Sequence, residues 1–262
     1  MQEMDGVRIF TAETHQFLEP VATSLKNISE FGDLTPAAML TDAAENFARG
    51  DASCDETIRH LKRSNSLHNA VTECRDAALA EWDVTKQKAL LRAATFGKGF
   101  DELHEASEFV SACKMLRVLN VVRAPEVALP LTAAQYEALT PTGVVGRLAA
   151  RHQHNVALQI CNYLGLRKDA VLMQWASYVA KGSDLPDQEV CTLIGELLRG
   201  LSNVSYANIA SAADSAGRRT RATMLLDLEP HATDKVPILL AMKRSKLALK
   251  KALDSGDMDL VH

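Results

Sequence analysis

From Thr35 onward, apolar residues recur at helical spacing along almost the whole chain. Thr35-Pro36 reads as an N-cap followed by a proline at the first helical position, and Ala37, Leu40, Ala44 and Phe47 then share a face up to Gly50. The same pattern predicts helices over 55–62, 67–82, 85–96 and 109–122. Gly97 and Gly99 read as the end of the third of these, and Val110, Cys113, Leu116 and Leu119 or Asn120 as the apolar row of the fourth. Thr132 caps a short helix over 132–139, and Thr140-Pro141 opens a turn into Val144, Val145 and Leu148. Segments 154–164 and 170–180 pair across Gly165, and 187–198, 206–215 and 219–228 follow. Short connections between helices of this length favour antiparallel neighbours.

The stretch 237–261 repeats the theme most densely. Pro237 suits a first turn, with Leu239, Leu240 and Met242 on one side. Ala248 with Ala252, and Leu249 with Leu253, lie i,i+4 apart and predict two adjacent inward rows. Gly256 is placed to end the helix in a left-handed turn, and Asp257 to cap a further helix begun just after it. The later half carries an echo: Ala157, Ala222 and Ala248 each stand before a large apolar residue, behind the basic pairs Arg151-His152, Arg218-Arg219 and Lys243-Arg244. The intervals are unequal, so the pattern is that of a degenerate helical-pair solenoid. Residues 1–33 differ. Val7, Ile9 and Thr11 alternate as a strand does, 14–17 reads as a short extended or turn segment, and the strand is expected either to pair with something absent from the chain or to be disordered.

Composition supports the same reading. The chain has 262 residues, enough for a substantial core in one or two domains, and 47% are hydrophobic while only 5% are aromatic. That balance favours helix over a sandwich or barrel. The predicted fold class is all-α: a solenoid of stacked helical hairpins over 34–262, preceded by a strand-like or extended segment over 1–33. A net charge of −4 supplies no global basic field for nucleic acid. No apolar run reaches membrane-spanning length, and the start lacks the pattern of a secretory signal. Cys54, Cys74, Cys113, Cys161 and Cys191 are widely spaced, as buried thiols of a reduced protein would be. Asn27-Ile28-Ser29 and Asn203-Val204-Ser205 match a glycosylation triplet that has no meaning without secretion.

Candidate chemistry is sparse. The loudest polar feature is Lys243, Arg244, Lys246, Lys250 and Lys251, with Lys243, Lys246 and Lys250 at i, i+3 and i+7 on one predicted stripe. It reads as a dock for an acidic partner or a membrane surface, or as a solvated face whose side-chain stems cover apolar neighbours. The aromatic interleaving of a nucleic-acid site is missing. His152 and His154 flank Gln153, but a zinc site needs further ligands at usable spacing. Gly97-Lys98-Gly99 is too short for a phosphate loop, and Asp254, Asp257 and Asp259 read as capping carboxylates. No catalytic residue, cofactor site or metal site is predicted. A metal-dependent helical-bundle enzyme using His152 and His154, and a basic membrane-binding module, remain as alternatives.

Particular strings carry a resemblance. Val236-Pro237, Leu239-Leu240, the run from Met242 to Leu249, Ser255-Gly256-Asp257 and Asp259-Leu260-Val261 are among them. So are Leu90-Leu91-Arg92-Ala93-Ala94 with Phe96-Gly97-Lys98, Leu116-Arg117-Val118-Leu119-Asn120, Pro130-Leu131-Thr132 and Ile160-Cys161 with Tyr163-Leu164. Together, from Asp5-Gly6-Val7-Arg8-Ile9 onward, the chain resembles the vacuolar protein sorting-associated protein 16 family. The resemblance implies a core subunit of the HOPS and CORVET tethering complexes, with an N-terminal β-propeller followed by an α-solenoid. It implies a non-catalytic scaffold that holds the other core subunits and a Sec/Munc-type SNARE chaperone, and acts on SNAREs indirectly. It implies a cytoplasmic protein lying peripherally on late endosome and vacuole or lysosome membranes. Residues 1–33 then correspond to the end of the propeller, and the chaperone's main docking region to sequence beyond residue 262.

Overall fold

The computed structural model describes residues 1–29, 35–201 and 204–260. The expected boundary at 33/34, Asn203 of the second triplet, and Val261 lie outside the described residues. The described residues form fourteen α-helices and one two-stranded sheet, an all-α architecture built of helical hairpins. The chain divides into two compact units, Met1–Thr140 and Pro141–His262.

In the first unit, β1 (Val7–Phe10) pairs antiparallel with β2 (His15–Leu18), Val7 opposite Leu18 and Phe10 opposite His15. The strand's partner is therefore the extended segment just after it, reached through a turn closed by Thr11 and Thr14. A short helix, α1 (Thr23–Ser29), follows. The hairpin is tied down by charge rather than by a core. The Arg8 guanidinium, buried and 4.8 Å over the Phe17 ring, grips Glu3 at 2.5 and 2.9 Å and donates to the Pro130 carbonyl at 3.2 Å. Gln135 answers from the other side, donating to Glu3 at 2.6 Å and Asp5 at 2.7 Å.

Helices α2 (Pro36–Arg49), α3 (Ser53–Arg63), α4 (Leu67–Ala80), α5 (Val84–Lys98) and α6 (Ala106–Arg123) build the rest of this unit. Thr35 caps α2 through its side chain, and Gly50 ends it at φ 79°. Ala37, Leu40, Val71, Ala93 and Ala94 form the centre of the core. Phe47 is not part of it: it lies exposed, stacked on Phe96 at 4.9 Å. Likewise α6 turns Phe109, Ala112, Leu116 and Leu119 inward while Val110 faces solvent.

Gly97 does not end α5; it sits inside the helix, where α2 and α4 approach. A Cβ there would lie 2.7 Å from Val71 Cγ2 and 2.8 Å from Leu40 Cδ2. Both neighbours are buried, and valine is stiff at χ1. Overpacking costs about 1–3 kcal/mol, more than the ~1 kcal/mol a helix gains when glycine becomes alanine. Gly97→Ala is therefore expected to lower stability by about 1 kcal/mol. Gly146→Ala, with open space around it, should raise stability by about 1 kcal/mol. Urea unfolding of the two variants reads the opposite signs.

The second unit continues from α7 (Ala133–Ala150), which Thr140 breaks at φ 62° and ψ 156°. Helices α8 (His154–Leu164), α9 (Asp169–Gly182), α10 (Asp187–Leu197), α11 (Tyr206–Ser215), α12 (Arg219–Asp227), α13 (Ala232–Ala241) and α14 (Ser245–Ser255) follow, then a 3-10 turn over Met258–Leu260. Neighbours two apart in sequence also touch: α9 packs on α11, α11 on α13, and α10 on α12. That is the layering of stacked hairpins.

The echo in the sequence has a backbone cause. Three connections share one turn: a left-handed residue (His152 φ 62°, Gly217 φ 80°, Lys243 φ 59°) and then an N-cap near φ −90°, ψ 50° at Gln153, Arg218 and Arg244. In each, the N-cap amide reaches back five residues, to Leu148, Ala213 and Leu239 at 2.9–3.0 Å. The fourth residue of the following helix is the fully buried Ala157, Ala222 or Ala248. The basic pairs fall in different registers on this turn, so the shared element is backbone shape and a small residue, not charge.

Pro237 lies inside α13 rather than at its start, which comes five residues earlier at Ala232. The missing N–H would have bonded to the Thr233 carbonyl. Both residues are exposed, so water can take that carbonyl.

Candidate interaction surface

The predicted basic cluster divides among three settings. Lys246 and Lys250 stand exposed on α14. Lys243 is exposed but precedes the helix, in the left-handed turn, so it does not continue their stripe; Arg244 is the exposed N-cap. Lys251 is half-buried and ion-paired with Asp227 of α12 at 3.2 Å.

The leucine rows divide as well. Ala248 and Ala252 are sealed at 1% exposure, but Leu249 and Leu253 stand 51% and 61% exposed, and Leu240 is exposed on α13. On an α-helix, side chains at 249 and 253 lie about 100° round from those at 248 and 252, and the packed neighbours cover only the alanine side. The outer face of α14 therefore reads Lys246, Leu249, Lys250, Leu253, an i, i+3, i+4, i+7 stripe of alternating cation and leucine.

A second feature gathers at the α7–α8 turn. The His152 ring lies 4.3 Å from that of Tyr178 on α9, and His154 lies 5.6 Å from Tyr178 and 5.7 Å from His152, centroid to centroid. His154 is only 5% exposed, yet its Nε2 makes no hydrogen bond. An unmade bond of this kind costs about 1–3 kcal/mol. Burial, and then the neighbouring His152, push its pKa below the ordinary imidazole value. The rings border a trough of about 420 Å³ whose walls include Met173, Ser177, Lys181 and Asn208. Tyr178 joins the histidines because α8 and α9 form an antiparallel hairpin about Gly165, which sets 154 beside the far end of α9.

The histidine pair gains no further metal ligands: among the described residues no group of three or more His, Cys, Asp or Glu side chains is placed to hold a metal ion. Cys74, Cys161 and Cys191 make poor nucleophiles, since burial raises all three thiols. Four of the five are buried, and burial pushes Cys74 and Cys191 up to about 11. No helix among the described residues is long and apolar enough to cross a membrane.

Sequence comparison relates the chain to known proteins. Residues 1–111 match the family model described as Vps16, N-terminal region, and residues 204–262 match Vps16, C-terminal region. Over 99% of its length the chain is 41% identical to Protein VACUOLELESS1 of Arabidopsis thaliana, of which it covers 30%. The chain belongs to the Vps16 family. Its similarity to the vacuolar protein sorting-associated protein 16 homolog of Dictyostelium discoideum is 42% identity, over 99% of this chain and 31% of that protein. For the Saccharomyces cerevisiae protein of that name the figures are 30%, 96% and 32%. The chain thus spans about 30% of the length of these Vps16 relatives.

Three groups that matter for the second unit escaped the sequence pattern. Arg221 and Glu229 are buried charges on or beside α12, and Tyr178 completes the histidine cluster. For Arg221 the sequence signal is a polar residue at a core-facing helical position, whereas Glu229 lies just past the end of α12, where periodicity gives none.

Proposed function

We propose that this chain is a non-catalytic scaffold segment of a HOPS- or CORVET-type membrane-tethering complex acting in vacuolar protein sorting. Its mechanism is geometric: hairpins stacked through alanine seams hold docking faces in fixed register for other subunits. In this reading residues 1–33 belong with a β-propeller and 34–262 with the α-solenoid. The complex works at late endosomes and the vacuole or lysosome, and the Sec/Munc-type SNARE chaperone is a subunit that the whole protein positions.

The observation that carries the reading is the outer face of α14. Lys246, Leu249, Lys250 and Leu253 suit an acidic, apolar protein surface, since leucines between cations give contact area as well as charge. Lys243 and Arg244 flank the stripe, and Lys251 holds α14 to α12. The test is titration of the purified chain against each complex subunit and the chaperone, by calorimetry. One subunit is expected to bind, and Lys246→Glu with Lys250→Glu should weaken it at least about tenfold. If no subunit binds, the scaffold reading of this segment fails. Salt-sensitive flotation with anionic vesicles that the double substitution abolishes would instead favour the membrane-binding alternative.

A further inference from the structure

The first unit carries an aromatic patch on its surface, where three of the chain's seven phenylalanines meet. Phe47, near the end of α2, is 62% exposed, and its ring centre lies 4.9 Å from that of the half-buried Phe96 on α5. Phe96 in turn meets Phe100, 39% exposed just past α5, edge-on at 5.4 Å. Single exposed apolar residues need no explanation, but rings gathered in contact do. Cations stand at both ends of the row. Lys62 of α3 holds its Nζ 5.7 Å from the centre of the Phe100 ring. Arg92 is exposed one helical turn before Phe96 on the same side of α5, and Lys88 is exposed a turn before that. None of these three cations is ion-paired with a described residue. The acids beside the phenylalanines in sequence are engaged elsewhere. Glu45 pairs with Arg49 at 3.0 Å, and Asp51 accepts from the Ser53 amide at 2.9 Å. Asp101 bonds His68 and the Leu103 amide, each at 3.0 Å. Asp55 and Glu102 are acids left on the adjoining segments, Asp55 two turns from Lys62 along α3. The patch is therefore apolar with free positive charge on both sides, in a chain whose net charge is −4.

We infer that this patch docks an extended segment of a partner protein with the pattern acid, any residue, aromatic, any residue, acid. Its ring stacks on Phe47, and its two carboxylates meet Arg92 and Lys62. The spacing follows from the geometry. From Arg92 to Phe100 the chain advances about 12 Å, and residues i and i+4 of an extended strand lie about 13 Å apart. In such a strand i, i+2 and i+4 face the same way, so one ring and two flanking acids reach the surface together. A further ring gains offset or edge-on contact with the row. Because Phe47 already leans on Phe96, it offers a ring face for stacking rather than a side chain standing clear to enter a bilayer.

The test uses the intact chain with ring-labelled phenylalanine, followed by NMR, and three capped peptides. The first is acetyl-Glu-Ser-Phe-Ser-Glu-amide; the second has Gln at both Glu positions, and the third has Ala in place of Phe. The first peptide is expected to shift the Phe47 and Phe100 signals. The other two should bind at least about tenfold more weakly. Lys62→Glu with Arg92→Glu, both at exposed positions, should cost the first peptide at least about tenfold, as should Phe47→Ala. Lys246→Glu with Lys250→Glu, on α14, should leave its affinity unchanged. Equal binding of the Gln peptide would overturn the inference by making the patch merely apolar, and equal binding of the Ala peptide would do so by making it merely basic. Unmoved Phe47 and Phe100 signals, or a loss of affinity from the α14 substitutions, would also overturn it. So would flotation of the chain with phosphatidylserine vesicles that Phe47→Ala abolishes, since the patch would then be a membrane contact.

Discussion

Replacing Arg221 by alanine is expected to lower the unfolding free energy of the second unit by about 3–5 kcal/mol. Arg221 is 1% exposed, and its guanidinium binds four groups at once. It donates to Asp187 Oδ1 at 2.9 Å and to the carbonyls of Ala180, Ser183 and Leu185 at 3.0, 3.1 and 3.0 Å. Those carbonyls belong to the end of α9 and the loop into α10, where backbone acceptors lack helical partners. Alanine removes every one of these bonds, leaves the buried Ala180 carbonyl and the part-buried Ser183 and Leu185 carbonyls without this donor, and opens a cavity between α10 and α12. Lysine keeps the charge but cannot reproduce the planar fork, so Arg221→Lys should recover less than half of the loss. Arg219→Ala, two residues away and mostly exposed, should change stability by no more than about 0.5 kcal/mol. The chain has two tryptophans, and Trp175 lies on α9. Urea unfolding followed by Trp175 emission, in a Trp82→Phe background, reads this unit. A loss no greater than that of Arg219→Ala would show that the buried fork contributes nothing net.

Glu229→Ala is expected to cost about 2–4 kcal/mol in the same unit. The carboxylate is almost fully buried, accepting from the Ala207 amide at 3.0 Å and the His231 amide at 3.3 Å. It therefore closes the first turn of α11 and the approach to α13 together, where a negative charge also suits the helix dipole. Alanine leaves two N–H groups without acceptors. Glu229→Gln keeps one acceptor oxygen and loses the charge, so an intermediate loss is expected. Hydrogen exchange adds a local reading: with alanine, the amides of Ala207 and His231 should exchange faster than those in the middle of α11. Unchanged protection at both would contradict the capping role.

Much of the fold was legible because helices announce themselves locally. The Thr35-Pro36 start and Gly50 stop of α2, the full spans of α8 and α11, and the Gly165 link are set by capping chemistry and periodic apolar residues within a few positions of each other. The readings that failed share another cause. Leu249 and Leu253 have the spacing of a core row, but spacing cannot say which of two adjacent rows a neighbour will cover. Gly97 looks like a helix end because glycine usually is one. Only the approach of Val71 and Leu40 reveals why a side chain is excluded there. The β1 strand lacked a visible partner because its mate, His15–Leu18, is too short and polar to signal a strand alone.

The amino-acid order by itself determined the helical class, the places where most helices begin and end, and the family to which the chain belongs. These depend on residues near one another in sequence, through propensity, caps and periodicity. Tertiary structure alone decided which face of each helix is sealed, which charges are buried, and which are left exposed. Arg221 is locked in and Lys246 is open to the solvent because of what packs over them from distant helices, and no local pattern records that.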